Sequence, residues 1–139
     1  MVKGLLITHG KLGDHFISVA EKIMEEKINI DFFAVEWNEN GSDIIKRIDN
    51  YIKTNKDQSI VIFTDMFGGS PSNICLRFIQ PNIEVITGIN MPGLLKFLTY
   101  RKKDIPFPKL IQIIKKGAID GINIISEYLG DKKHDKKNN

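Results

Sequence analysis

Two polar residues in this 139-residue chain stand where chemistry could be done, each directly after an apolar run: His9 follows Gly4-Leu-Leu-Ile-Thr8, and Asp65 follows Ile60-Val-Ile-Phe-Thr64. A neutral imidazole is a nucleophile through whichever ring nitrogen lacks a proton, and a carboxylate accepting from the other nitrogen fixes that choice. A lone His beside an apolar run is commonly a structural hydrogen-bonder. Three features turn His9 toward the nucleophile: it ends its run, Gly10 leaves its ring uncovered, and an acid ends another run expected nearby. The stretch Asp65-Met-Phe-Gly-Gly-Ser-Pro-Ser72 adds an anion site. Gly68 and Gly69 allow close backbone approach, Ser70 is a good N-cap, and Pro71 suits the first helical position. A helix starting there points free N–H groups and its positive dipole end at a phosphoryl group. The same residues also make a sound strand-to-helix turn with no ligand.

Other chemistries fit less well. Five residues rather than four separate Gly4 from Gly10, and Leu12 stands where a phosphate-binding loop needs Ser or Thr. No Gly-x-Gly-x-x-Gly follows the first apolar run, and Pro71 after Ser70 removes the N–H that would complete a serine hydrolase's oxyanion hole. His9 and His15 are six apart and His134 lies near the terminus, so no chelating spacing is present and neither metal nor cofactor is expected. Asp14 and His15 belong to the start of a helix. Trp37, with Glu36 and Asn38, suits a crevice rim or a packing contact, and Cys75 lies on an apolar stripe as an inert thiol.

These residues need a scaffold. With 42% hydrophobic residues, 27% charged residues and one Cys, the chain can build one core without disulfides, and the free thiol suits a reducing compartment. The N-terminal apolar stretch is too short for a signal peptide, and no run approaches the roughly 20 apolar residues of a membrane span. A soluble, cytoplasmic protein is expected, with membrane contact peripheral at most. Residues 131–139 hold four Lys and two Asp, +2 of the net +3, leaving a nearly neutral body without the basic face that nucleic acid requires. The domain is expected over 1–130, with 131–139 a disordered basic tail.

Strands are predicted at Lys3–Thr8, Ile30–Val35, Ser59–Thr64 and Ile83–Thr87. Helical stripes separate them: Phe16, Val19, Ala20 and Ile23, then Ile44, Ile45, Ile48 and Ile52, then Ile74, Cys75, Phe78 and Ile79. Alternating βαβαβαβ predicts an α/β doubly wound open sheet with parallel order 2-1-3-4, its crevice beyond the strands' carboxyl ends. That order makes the strands ending at His9 and Asp65 neighbours. A helix is predicted at about Met91–Tyr100, then a loop with Pro106 and Pro108, then a helical stripe from Leu110 to Ala118. Gly121–Ser126 is ambiguous between strand and helix. It is taken as a short edge strand, which would need covering or pairing with a second chain.

Thr8-His9-Gly10, Asp65-Met-Phe-Gly-Gly-Ser-Pro-Ser-Asn73 and Gly88-Ile-Asn-Met-Pro92, in this order, resemble the enzyme IIA component of the mannose and fructose type sugar phosphotransferase system. The resemblance spans about residues 1–129. It implies a phosphocarrier in which His9 accepts a phosphoryl group from the carrier protein HPr, through Nε2, and passes it to a IIB component. By the same resemblance Asp65 supports the ring, while Ser70 with Gly68, Gly69 and Gly10 faces the phosphate. It further implies an antiparallel edge strand exchanged in a homodimer, and membrane association only through the permease complex. Relatives often continue into a IIB domain. This chain ends in a Lys-rich stretch instead, so a separate IIB chain is expected. The alternative is a regulatory phosphoacceptor of the same fold. A binding module for a phosphorylated metabolite or flavin is disfavoured by the missing nucleotide motifs.

Overall fold

A computed structural model describes residues 1–38 and 40–130, so the expectation for 131–139 lies outside the described residues. The strands β1 (Lys3–His9), β2 (Ile30–Val35), β3 (Ile60–Thr64) and β4 (Ile83–Ile86) form one parallel sheet in the order β2-β1-β3-β4. The helices are α1 (Leu12–Met24), α2 (Gly41–Thr54), α3 (Ser70–Cys75), α4 (Met91–Tyr100) and α5 (Phe107–Asp120), with a 3₁₀ turn at Leu76–Phe78 after α3. The expected fold class and strand order are those observed.

Side chains leave a strand alternately toward its two faces, and both faces of this sheet are covered. Leu5, Ile7, Ile60 and Ile62 pack with Ile44 and Ile48 of α2 and with Cys75 of α3. Leu6, Val61 and Phe63 pack on the opposite side with Ala20 of α1, Leu94 and Phe97 of α4, and Leu110 and Ile114 of α5. Burial on both sides is why the central strands β1 and β3 read as continuous apolar runs. Each fully buried aliphatic side chain stabilises the fold by roughly 1.5–3 kcal/mol.

The winding direction reverses between β1 and β3. After β1 the chain leaves toward the α1 side, and after β3 it leaves toward the α3 side. The two loops therefore part around a crevice at the sheet's carboxyl edge, where ligands bind in open α/β folds. The register sets Ile7 beside Thr64, so the next residue of β1 but one, His9, and the first after β3, Asp65, meet above the same edge.

The last segment differs from its expected form. Gly121 is a turn, residues 122–124 are irregular, and 125–130 are helical, with the Tyr128 amide donating to the Ile124 carbonyl at 3.0 Å. Gly121–Ser126 is therefore no edge strand in this chain. The apolar residues Ile124, Ile125, Tyr128 and Leu129 follow helical spacing, a period hidden when the segment is cut at Ser126.

Candidate active site

His9 closes β1, and its backbone N–H donates to Asp65 Oδ2 at 3.1 Å while its ring Nδ1 lies 2.9 Å from the same oxygen. A carboxylate acceptor there requires the proton on Nδ1, which leaves the Nε2 lone pair free. The pair is partly sheltered, with side-chain exposures of 21% for His9 and 12% for Asp65. Asp65 Oδ1 is buried without a hydrogen-bond partner among the described residues, so the carboxylate's charge is directed largely at the imidazole.

Two backbone features bring the β3–α3 loop against this ring. Gly68 has a φ of 83°, in the left-handed region that favours glycine. Gly69 passes so near that a Cβ on it would stand 2.8 Å from His9 Cε1 and 3.4 Å from Nε2. Any side chain at Gly69 would press on the edge of the imidazole that carries the lone pair.

The start of α3 corrects the expected cap by one residue. Gly69 is the N-cap and Ser70 the first helical residue, with Pro71 in the first turn. The hydroxyl doing the local bonding is Ser72: its Oγ accepts from the Gly68 amide at 2.9 Å and donates to the Gly69 carbonyl at 3.1 Å. Ser70, relieved of capping, lines a cavity of about 330 Å³ together with His9, Trp37, Gly41 and Asn73.

The expected anion-binding residues thus divide. Gly69 and Ser70 sit at the imidazole edge and the cavity, and their amides make no hydrogen bond within the described residues. The Gly68 amide is held by Ser72, and the Gly10 amide donates to the Val35 carbonyl at 3.0 Å, extending the β1–β2 ladder. Gly10, with φ 50°, turns the chain out of the sheet toward α1. There Thr8 Oγ1 accepts from the Gly13 amide at 2.9 Å, so Thr8 serves the start of α1.

Trp37, expected at the rim, is there and does more: its ring stacks on His9 with centroids 5.2 Å apart and planes 28° apart. The stack was not legible from the sequence, since an aromatic in a polar loop carries no periodicity. Ser72 left a weaker signal, four residues after Gly68 in a glycine turn. Asp14 and His15 lie in the first turn of α1 as expected. Cys75 is buried, and loss of solvent pushes its thiol up to about 12. Between β4 and α4, Asn90 caps α4 through the Gly93 amide and donates to the Ala118 carbonyl, both at 2.9 Å. That loop connects β4 to α4, is tied to α5 by Asn90, and contributes nothing to the cavity lining beside His9.

The segments that follow β1, β2 and β3 at this edge carry exposed apolar side chains. Leu12, Trp37, Met66 and Phe67 are all exposed, Phe67 at 81% and Trp37 at 82%. Exposed large apolar groups around a reactive centre suit a macromolecular partner better than solvent. Among the described residues no helix is long and apolar enough to cross a membrane, and no three His, Cys, Asp or Glu side chains could hold a metal ion together.

The sequence model of the family described as PTS system fructose IIA component matches residues 4–114. The mannose-specific EIIAB component of the phosphotransferase system of Escherichia coli K12 is 26% identical over 121 residues, 85% of this chain and 38% of that protein. The chain thus spans well under half the length of that relative. The sorbose-specific EIIA component of Klebsiella pneumoniae is 28% identical over 100 residues, 70% of this chain and 73% of that protein. A phosphotransferase system EIIA component from Streptococcus agalactiae has a similar fold, with a TM-score of 0.81 at 21% identity, covering 91% of this chain and 99% of that one. A mannose/sorbose-specific IIA subunit from Enterococcus faecalis gives a TM-score of 0.80 at 14% identity, covering 88% and 93%.

Proposed function

Because the chain belongs to the family of PTS system fructose IIA components, we propose that it is a phosphocarrier of sugar uptake in which His9 is the residue phosphorylated. HPr is the donor and a IIB component the acceptor. The observation that carries this reading is the His9 Nδ1 to Asp65 Oδ2 contact of 2.9 Å, with Nε2 left open beside Gly69.

The Nε2 lone pair attacks the phosphorus of the donor's phosphohistidine in line. The Nε2–P bond forms as the donor's N–P bond breaks, and that electron pair returns to the donor imidazole. The Nδ1 proton stays on His9 throughout, and Asp65 stabilises the positive charge the phosphorylated ring acquires. The amides of Gly69 and Ser70 and the Ser70 hydroxyl take the phosphoryl oxygens. Passage to IIB is the same displacement reversed, with the acceptor side chain as nucleophile. The apolar rim of Leu12, Trp37, Met66 and Phe67 gives both partners a small interface that releases after each transfer. The carrier works in the cytoplasm and meets the membrane only through the permease complex. It acts as a homodimer joined through the exposed apolar residues Ile122, Ile124, Ile125, Tyr128 and Leu129, which sedimentation velocity tests: a monomer at micromolar concentration removes the dimer from this reading.

Incubation with phosphoenolpyruvate, enzyme I and HPr is expected to place an acid-labile, alkali-stable phosphoryl group on the protein, absent in His9→Ala. Labelling that survives the substitution refutes the nucleophile. Adding a mannose-type IIB protein and sugar then separates transport from signalling: phosphate reaching the sugar supports the carrier, and phosphate retained on His9 favours a regulatory phosphoacceptor.

A further inference from the structure

A hydrogen bond holds one edge of a ring and leaves it able to swing about the bond's axis. The His9 imidazole is held at Nδ1 by Asp65, and Gly69 lies against its Cε1 edge. Trp37 covers one of its faces, with centroids 5.2 Å apart and planes inclined by 28°. That third contact opposes swing toward the covered face. Core burial does not explain the indole's position, because Trp37 is 82% exposed. Its ring contact is with the imidazole, and it joins His9, Ser70 and Asn73 in lining one cavity.

We propose that Trp37 is a positioning residue, whose stacked indole keeps Nε2 in line for phosphoryl transfer and shields the phosphorylated ring from water. The inference rests on His9 being the phosphorylated residue. A phosphorylated imidazole that keeps its Nδ1 proton carries positive charge across the ring, and an electron-rich indole face attracts such a charge. The competing loss is hydrolysis. A water oxygen bonds to phosphorus as the Nε2–P bond breaks, the pair returns to Nε2, and a water proton leaves with formation of inorganic phosphate. An indole on one face closes part of that approach.

The test compares the parent protein, Trp37→Ala and Trp37→Phe. In unphosphorylated protein the His9 Cε1 proton is expected upfield by the indole ring current, a shift lost in Trp37→Ala and largely kept in Trp37→Phe. With phospho-HPr as donor, kcat for Trp37→Ala should fall about fivefold, the worth of one aromatic stack, while KM stays within about twofold. The half-life of its phosphohistidine should shorten about threefold, within the same range. Trp37→Phe should recover most of both. An unchanged Cε1 shift, an unchanged kcat and half-life, or a rise in KM alone, the mark of a docking anchor, overturns the inference while leaving the carrier reading intact. If the parent protein takes no phosphoryl group at His9, the carrier reading falls first and this inference falls with it. Melting curves identify any misfolded variant, and Trp37→Phe then decides alone.

Discussion

The two ends of the sheet each hold a cationic or potentially cationic side chain, and they treat it in opposite ways. At the carboxyl edge His9 shares an oxygen of Asp65, remains partly exposed and opens onto a cavity. At the amino edge Arg101 is only 4% exposed, donates from Nε to the Val2 carbonyl at 3.0 Å and lies over the Phe97 ring with its guanidinium carbon 4.8 Å from the centroid. Its Nη2 is buried with no partner among the described residues, and loss of solvent lowers its proton affinity. Arg101 anchors the start of β1, while His9 at the other end of that strand keeps an edge open to the cavity. Charge alone does not mark a reactive site. A reactive site needs an acceptor that fixes the tautomer and an open path to the atom that reacts.

The largest expected effect breaks the carboxyl-edge pair. Asp65→Asn should slow phosphorylation of His9 by about 100- to 1000-fold, since the neutral amide no longer dictates the tautomer or balances the charged ring, with melting temperature nearly unchanged. Equal rates would reduce Asp65 to a packing partner. Next comes Gly69→Ala, whose Cβ would stand 2.8 Å from His9 Cε1. Displacing the imidazole by a few tenths of an ångström should cost about tenfold in transfer rate, read by stopped-flow phosphorylation, and a parental rate would mean the loop yields freely. The smallest effect on chemistry belongs to the opposite end. Arg101→Ala should lower unfolding free energy by about 1–3 kcal/mol through its lost hydrogen bond and ring contact, with the phosphorylation rate of folded protein within about twofold. A large fall in rate without loss of stability would join the two ends functionally and undo the contrast.

The strands were legible because continuous apolar runs such as Ile60-Val-Ile-Phe63 belong to strands buried on both faces, and their alternation with helical stripes set the order. The meeting of His9 with Asp65 followed from that order alone, fifty-six residues apart in the chain. What escaped were contacts that propensity does not encode. The hydroxyls of Ser70 and Ser72 are alike in type, and the backbone path decides that Ser72 takes the Gly68 amide while Ser70 is left to the cavity. The Trp37 stack depends on the register that sets Val35, two residues before it, beside His9. Gly121–Ser126 was misjudged because three isoleucines after a glycine fit strand or helix until Tyr128 and Leu129 are counted.

A single oxygen, Asp65 Oδ2, grips both the peptide N–H and the Nδ1 of His9. Turning the imidazole over to present the other nitrogen would break the charge-assisted bond from Nδ1 and leave Oδ2 with the peptide N–H alone, a penalty of about 1–3 kcal/mol. On the proposal that His9 carries the phosphoryl group, the consequence is regiochemical: the tele isomer of phosphohistidine is expected, because the pros nitrogen is engaged by Asp65 before any phosphate arrives.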